Sequence, residues 1–255
     1  MSPLVITILI VSGIFLLIAI AYINHMVENN KLEKARIKAD LNDRLRRCHD
    51  LAEALPGQLM TPALKLMLSR LQLHFSERLL PYDKANNALK ARIEELRKLI
   101  AQGESIVVNN PPQPILNEAM AKEVRFQLEN LHGQLTRCAK DGIIPANVAK
   151  HWLKEARHML TQVHIELFGN LGQQALQQNQ PGKARLAFER GVQYLRKQPD
   201  PSLYQNALKK FEEQLTRANA MVLESTKIIP DQPSELDAGL ESLGSDEWKK
   251  KPIYD

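Results

Sequence analysis

The residues whose types and spacing come nearest to chemistry in this chain fall short of it. Gly182-Lys183 approaches a phosphate-binding loop, but it lacks the upstream glycine and the Ser or Thr that hold phosphate and magnesium. The seven histidines are dispersed. His151 and His158 share a helical face at a spacing of seven, not the i,i+4 pair that zinc sites use. Cys48 and His49 are neighbours in sequence, so on a helix they point to different faces and form no thiolate–imidazole pair. The carboxylates sit where i,i+4 ion pairs on solvated helix faces account for them. The expectation is a protein with no catalytic residue, no cofactor-binding residue and no metal ligand: not an enzyme.

The element that would position everything else is Leu4 to Ile23, LVITILIVSGIFLLIAIAYI, twenty residues without a charge. At about 1.5 Å per residue one helix of that length spans the roughly 30 Å hydrocarbon core of a bilayer. Met1-Ser2-Pro3 carries no basic residue and the run exceeds the core of a cleaved signal, so an uncleaved anchor is expected. Lys31, Lys34, Arg36 and Lys38 follow within about 15–20 residues, and the positive-inside bias places the body in the cytoplasm. Residues 1–3 are then a short extracytoplasmic N-terminus and 4–23 the transmembrane anchor. A plain anchor without a sorting motif suits a bacterial inner membrane.

Leu, Ala, Gln, Lys, Arg and Glu dominate the remainder, and aromatic residues are scarce. That is the composition of packed helices, because straight-chain residues and Ala lose little entropy on entering one. The formal charge of +5 is modest and the basic residues alternate with acidic ones, whereas nucleic-acid binding wants the charge gathered on one face. The two cysteines, Cys48 and Cys138, are expected as reduced, buried small hydrophobes.

Residues 24–102 are expected as a helical stalk and hairpin. Leu32, Ile37, Leu41, Leu45, Cys48, Ala52 and Leu55 form one stripe, with Arg44, Arg47 and Asp50 opposite, ending at Pro56-Gly57. The stalk is where self-association as a coiled coil would occur. Thr61-Pro62 starts a second helix with Leu64, Leu68, Leu71, Phe75 and Leu79 on one face. Ala85, Leu89, Ile93, Leu96 and Ile100 mark its antiparallel partner. Residues 103–114, GESIVVNNPPQP, carry three prolines and are expected as a linker between two helical domains. The second domain, residues 115–226, opens with Leu116, Met120, Val124, Leu128, Leu131, Leu135 and Cys138. Pro145 starts the next helix, with Val148, Trp152, Ala156, Leu160, Val163 and Leu167 inward.

Phe168-x2-Leu171-Gly172-x2-Ala175, followed by Ala184-x3-Phe188-x2-Gly191, resembles one tetratricopeptide repeat over residues 165–198. The resemblance implies a tight helix pair with Gly172 and Ala184 at the close approach and Phe188 in the groove. Ala175 stands where tyrosine is usual, the closing proline comes late, and a shift of 34 residues finds no second match. Tyr204, Leu208, Phe211, Leu215, Ala218 and Val222 would have to complete the core. The fold expected is all-α: a transmembrane helix, a stalk and hairpin, and a repeat-like or generic helical bundle with a disordered tail. In such a repeat the concave face binds peptides, and its floor would come from Asn170, Gln173, Gln174 and Gln177.

Residues 227–255 are expected as an acidic disordered tail, with Asp231, Glu235, Asp237, Glu241, Asp246 and Glu247 preceding an aromatic–basic end. Trp248, Lys249, Lys250, Lys251 and Tyr254 suit a docking peptide or contact with anionic lipid, where each Lys is worth about 1 kcal/mol. Arg44, Arg46, Arg47, Arg70 and Arg78 add positive charge near the membrane. The function expected is that of a membrane-anchored adaptor or scaffold binding other proteins. The alternative is a membrane-tethered nucleic-acid-binding protein acting through its basic helical faces.

Overall fold

The computed structural model describes the backbone of residues 3–227, and side chains at 13 and from 15 to 224. Within these limits the protein is all-α, with seven α-helices and no strand. They are α1 (Pro3–Ala54), α2 (Pro62–Leu79), α3 (Asn87–Ala101), α4 (Glu118–Lys140), α5 (Ala146–Gln177), α6 (Pro181–Arg196) and α7 (Gln205–Lys227). Short 3-10 turns at Leu80–Tyr82, Gly103–Ser105 and Pro201–Tyr204 join them. The chain divides into two units, residues 1–164 and 165–255, and the division falls within α5.

No helix among the described residues is long and apolar enough to cross a membrane. Half of the expected span, residues 4–12 and 14, has side chains outside the described set. Its other half is exposed: Phe15 is 75% and Leu17 67% accessible, and Ile18, Ile20 and Ile23 are also open.

In the first unit, α1 becomes part of a core only from Leu41 onward. Leu41, Cys48, Leu51, Ala52 and Leu55 are buried, with α2 and α4 packed on α1. Helix α2 starts where its capping signal predicts, the Thr61 hydroxyl accepting from the Leu64 N–H at 3.1 Å and Pro62 opening the first turn. Its face of Leu64, Leu68, Leu71, Phe75 and Leu79 is buried, and α3 packs on it through Leu89, Ile93 and Leu96. Asn86 and Asn117 cap α3 and α4 in the same way, at 3.0 and 2.9 Å.

Two features differ from the organisation expected. Residues 103–114 are not a free linker. The Asn110 amide donates to the carbonyls of Ala52, Glu53 and Leu55 at 3.0, 3.2 and 2.9 Å, satisfying the orphan acceptors at the end of α1. Gly57 N–H donates to Pro111 O at 3.0 Å, and Gln58 exchanges hydrogen bonds with Gln113. Ile106 and Ile115 are buried on either side. The prolines therefore prevent a helix without freeing the segment. The second difference is α4, which shares the first unit with α1 and with α5 up to His164. Val124, Leu128, Leu131, Leu135 and Cys138 are buried, and Arg137 and Asp141 reach back to Asp40 and Arg44 of α1 at 2.7 and 2.6 Å.

The second unit contains residues 165–177 of α5 with α6 and α7. Ala175, Ala184, Phe188, Val192, Leu195, Tyr204, Phe211 and Ala218 form its core, with Ile165, Phe168, Leu208 and Leu215 packed against it.

Candidate partner-binding groove

The small residues of the repeat-like motif let helices meet. A Cβ added to Gly172 would overlap Cε1, Cζ and Cδ1 of Phe188, so only glycine admits the ring there. Ala184 is fully buried, and Phe188 is 1% accessible. Gly191 does for α7 what Gly172 does for α6: a Cβ there would stand 2.9 Å from Phe211. Phe211 lies 6.2 Å from Phe188, ring to ring, and also approaches Gly169. Phe168 is half-buried, its ring tilted against Tyr194 at 6.2 Å, and Leu171 is half-buried beside it. The third helix α7 thus covers the helix pair.

Helices α5 and α7 leave a groove of about 230 Å³ between them. Phe188, Phe211 and Gly169 form its apolar part, and Glu166, Asn170, Gln173, Lys210 and Gln214 its polar rim. The Gln173 amide donates to Gln214 Oε1 at 3.4 Å across it. Of the four residues expected to form one floor, the structure brings together only Asn170 and Gln173. Gln174 lines a different depression with Leu171, Lys183, Leu186 and Arg190. Gln177 is exposed and lines neither. The physical reason is that α7 lies against the side of α5 marked by Ile165 and Gly169, so the four polar residues fall to either side of it. Gly169, Lys210 and Gln214 were not singled out from sequence; the signal available was a glycine three residues before Gly172. Trp248, Lys249, Lys250, Lys251 and Tyr254 lie outside the described residues.

Elsewhere the chemistry is that of structure. Among the described residues no three His, Cys, Asp or Glu side chains come together as a metal-binding group. Both cysteines are free and buried. Burial, with a smaller contribution from Cys138, pushes the Cys48 thiol up to about 12, and burial raises Cys138 as well. At neutral pH both are protonated, and neither offers a nucleophile. Several arginines expected to present positive charge are paired. Arg44 holds Asp40 and Asp141, Arg47 holds Asp43 at 2.8 Å, and Arg46 stands 3.8 Å from the same carboxylate. The Arg47 hydrogen bond holds the Asp43 carboxyl below its ordinary value, and the Arg44 hydrogen bond does the same for Asp141. Arg70 and Arg78 remain exposed.

Comparison with protein-family models, with curated proteins and with solved structures finds no match to this chain.

Proposed function

We propose that this protein is a membrane-anchored adaptor that captures a segment of another protein in the α5–α7 groove. The observation that carries the reading is the groove itself. It combines an apolar floor that includes two phenylalanines with carboxamides that both donate and accept hydrogen bonds, and with one acidic and one basic side chain, Glu166 and Lys210, at its edge. A volume of about 230 Å³ accommodates one or two peptide side chains, and the amides would meet the peptide backbone. The anchor is residues 4–23. Its support is the uncharged run of twenty residues, the exposure of Phe15 to Ile23, and the basic residues that follow on one side only. That orientation places the groove in the cytoplasm.

Nucleic-acid binding is less favoured, because the arginines of α1 are largely neutralised by Asp40, Asp43 and Asp141. The reading is tested by crosslinking in intact membranes, comparing the chain with a variant carrying Asn170→Ala, Gln173→Ala and Gln214→Ala. A protein crosslinked by the former and lost from the latter identifies the partner. Crosslinks unchanged by the variant, or to nucleic acid alone and abolished by salt, would refute the groove as the site. Release of the chain from membranes by alkaline carbonate would refute the anchor.

A further inference from the structure

A second groove, of about 460 Å³, lies wholly within the first unit and is lined by Arg36, Asp40, Arg44, Arg78, Tyr82 and Asp141. Its carboxylates are already engaged. Asp40 receives Arg44 Nε at 3.0 Å and Arg137 Nη2 at 2.7 Å, and Asp141 receives Arg44 Nη1 at 2.6 Å. Arg44 is only 8% accessible, its guanidinium 5.7 Å from the centre of the Phe75 ring. Its buried Nε–H is close to Asp40 but out of line with it, and makes no hydrogen bond. Four arginines face two aspartates here, which leaves a surplus of two positive charges. The surplus resides on Arg36 of α1 and Arg78 of α2, neither of which forms an ion pair or hydrogen bond to another described residue. Tyr82 completes the same wall.

We propose that this groove binds a phosphate group, carried by a lipid headgroup or by a soluble phosphate ester. Two guanidinium forks on separate helices can bind different oxygens of one tetrahedral anion, and the surplus of two charges matches a dianion. The Asp40–Arg44–Asp141 arrangement fixes the floor, so little side-chain ordering is needed on binding beyond that of Arg36 and Arg78. Arg44 and Arg137 neutralise Asp40 and Asp141, so the floor does not repel an anion. This inference does not depend on the α5–α7 groove, and only its nanodisc test takes the proposed anchor as given.

The test uses the full chain in phosphatidylcholine nanodiscs, titrated calorimetrically with inorganic pyrophosphate, beside the variant R36Q/R78Q. Both substituted side chains are exposed, and circular dichroism verifies that the variant is folded. Loss of two charge-assisted contacts should weaken binding by about tenfold or more. A second arm compares nanodiscs with and without phosphatidic acid, reading phenylglyoxal modification of Arg36 and Arg78 by peptide mass spectrometry. Exposed Arg70, outside the groove, is the reference. Pyrophosphate binding that the variant weakens assigns a soluble ester. Selective protection of Arg36 and Arg78 by phosphatidic acid, without pyrophosphate binding, assigns a lipid. Pyrophosphate binding undiminished in the variant, protection equal at Arg70, or no effect in either arm overturns the proposal.

Discussion

Replacing Gly172 with Ala isolates the contact on which the second unit depends. The added methyl would overlap Cε1, Cζ and Cδ1 of Phe188, and that ring is buried and flanked by Phe211 at 6.2 Å, so it can retreat only towards the α5–α7 groove it borders. Overpacking of this kind costs about 1–3 kcal/mol. Displacing the ring adds a fraction of the roughly 1.5–3 kcal/mol that burying a phenylalanine contributes. Against this, Ala is a better helix former than Gly by about 1 kcal/mol. The balance is a destabilisation of about 2 kcal/mol, which lowers the melting temperature of a unit this small by roughly 10 °C. The decisive comparison is in the Phe188→Ala background. There the ring is gone, the cavity accepts the methyl, and only the helix-propensity gain remains, so Gly172→Ala should become stabilising by up to about 1 kcal/mol. Hydrogen exchange of the α6 and α7 amides reads the second unit directly, whatever the first unit does. If Gly172→Ala destabilised equally in both backgrounds, the close approach of α5 and α6 at this glycine would be refuted.

Other perturbations address the first unit. Asn110→Ala removes three hydrogen bonds to the last carbonyls of α1 and should cost about 1–3 kcal/mol, measured by urea denaturation. Gly57→Ala should be at least as harmful, because the new methyl would collide with the Asn110 carbonyl, and its melting temperature should fall in parallel. Cys48, with its thiol pushed up to about 12, should resist maleimide at pH 8 in the folded chain and react once denaturant opens the core. The Asp141 carboxyl is held below its ordinary 3.8 by Arg44, so its contribution is present above that value and is lost as pH falls through the lower folded one. In Asp141→Asn the acid-side decline in stability between pH 4 and lower values should be shallower, as followed by circular dichroism during acid titration.

Local signals carried the reading of this chain as far as each helix and no further. Thr61-Pro62 announced α2, because a capping hydroxyl and a proline act within one turn of each other. Gly172, Ala184 and Phe188 announced a close helix pair, because small residues opposite a ring leave few other interpretations. The stripe Val124 to Cys138 announced a buried face on α4, but a stripe says that a face is covered without saying by what. Only the pairs Arg44–Asp141 and Arg137–Asp40, each separated by 97 residues, assign it to α1. The same limit hid the division within α5, since Ala156, Val163 and Leu167 form one unbroken apolar series through it. For residues 103–114 the prolines were informative about what the backbone cannot do. The amide of Asn110, which does the fastening, has no distinguishing sequence context.

The stripe on α1 also bears on whether the stalk pairs with a second copy. A coiled coil needs its apolar seam free over at least about three or four heptads. From Leu41 to Leu55 the seam is occupied: Leu41, Cys48, Ala52 and Leu55 are buried in the core of their own unit, with α2 and α4 packed on α1. Above it, Met26, Val27 and Leu32 are exposed and Ile37 half-buried, four scattered apolar positions in a segment otherwise rich in Glu and Lys. These positions do not make the three or four heptads of continuous seam that a coiled coil needs. Pairing through the lower stalk would require α2 and α4 to leave, exposing Phe75 and Cys138 and leaving Arg44 without Asp141. From Leu41 onward the stripe read from the sequence is therefore the one that builds the first unit. The apolar residues that α1 leaves exposed run from Phe15 to Leu32, and those up to Ile23 lie in the proposed anchor.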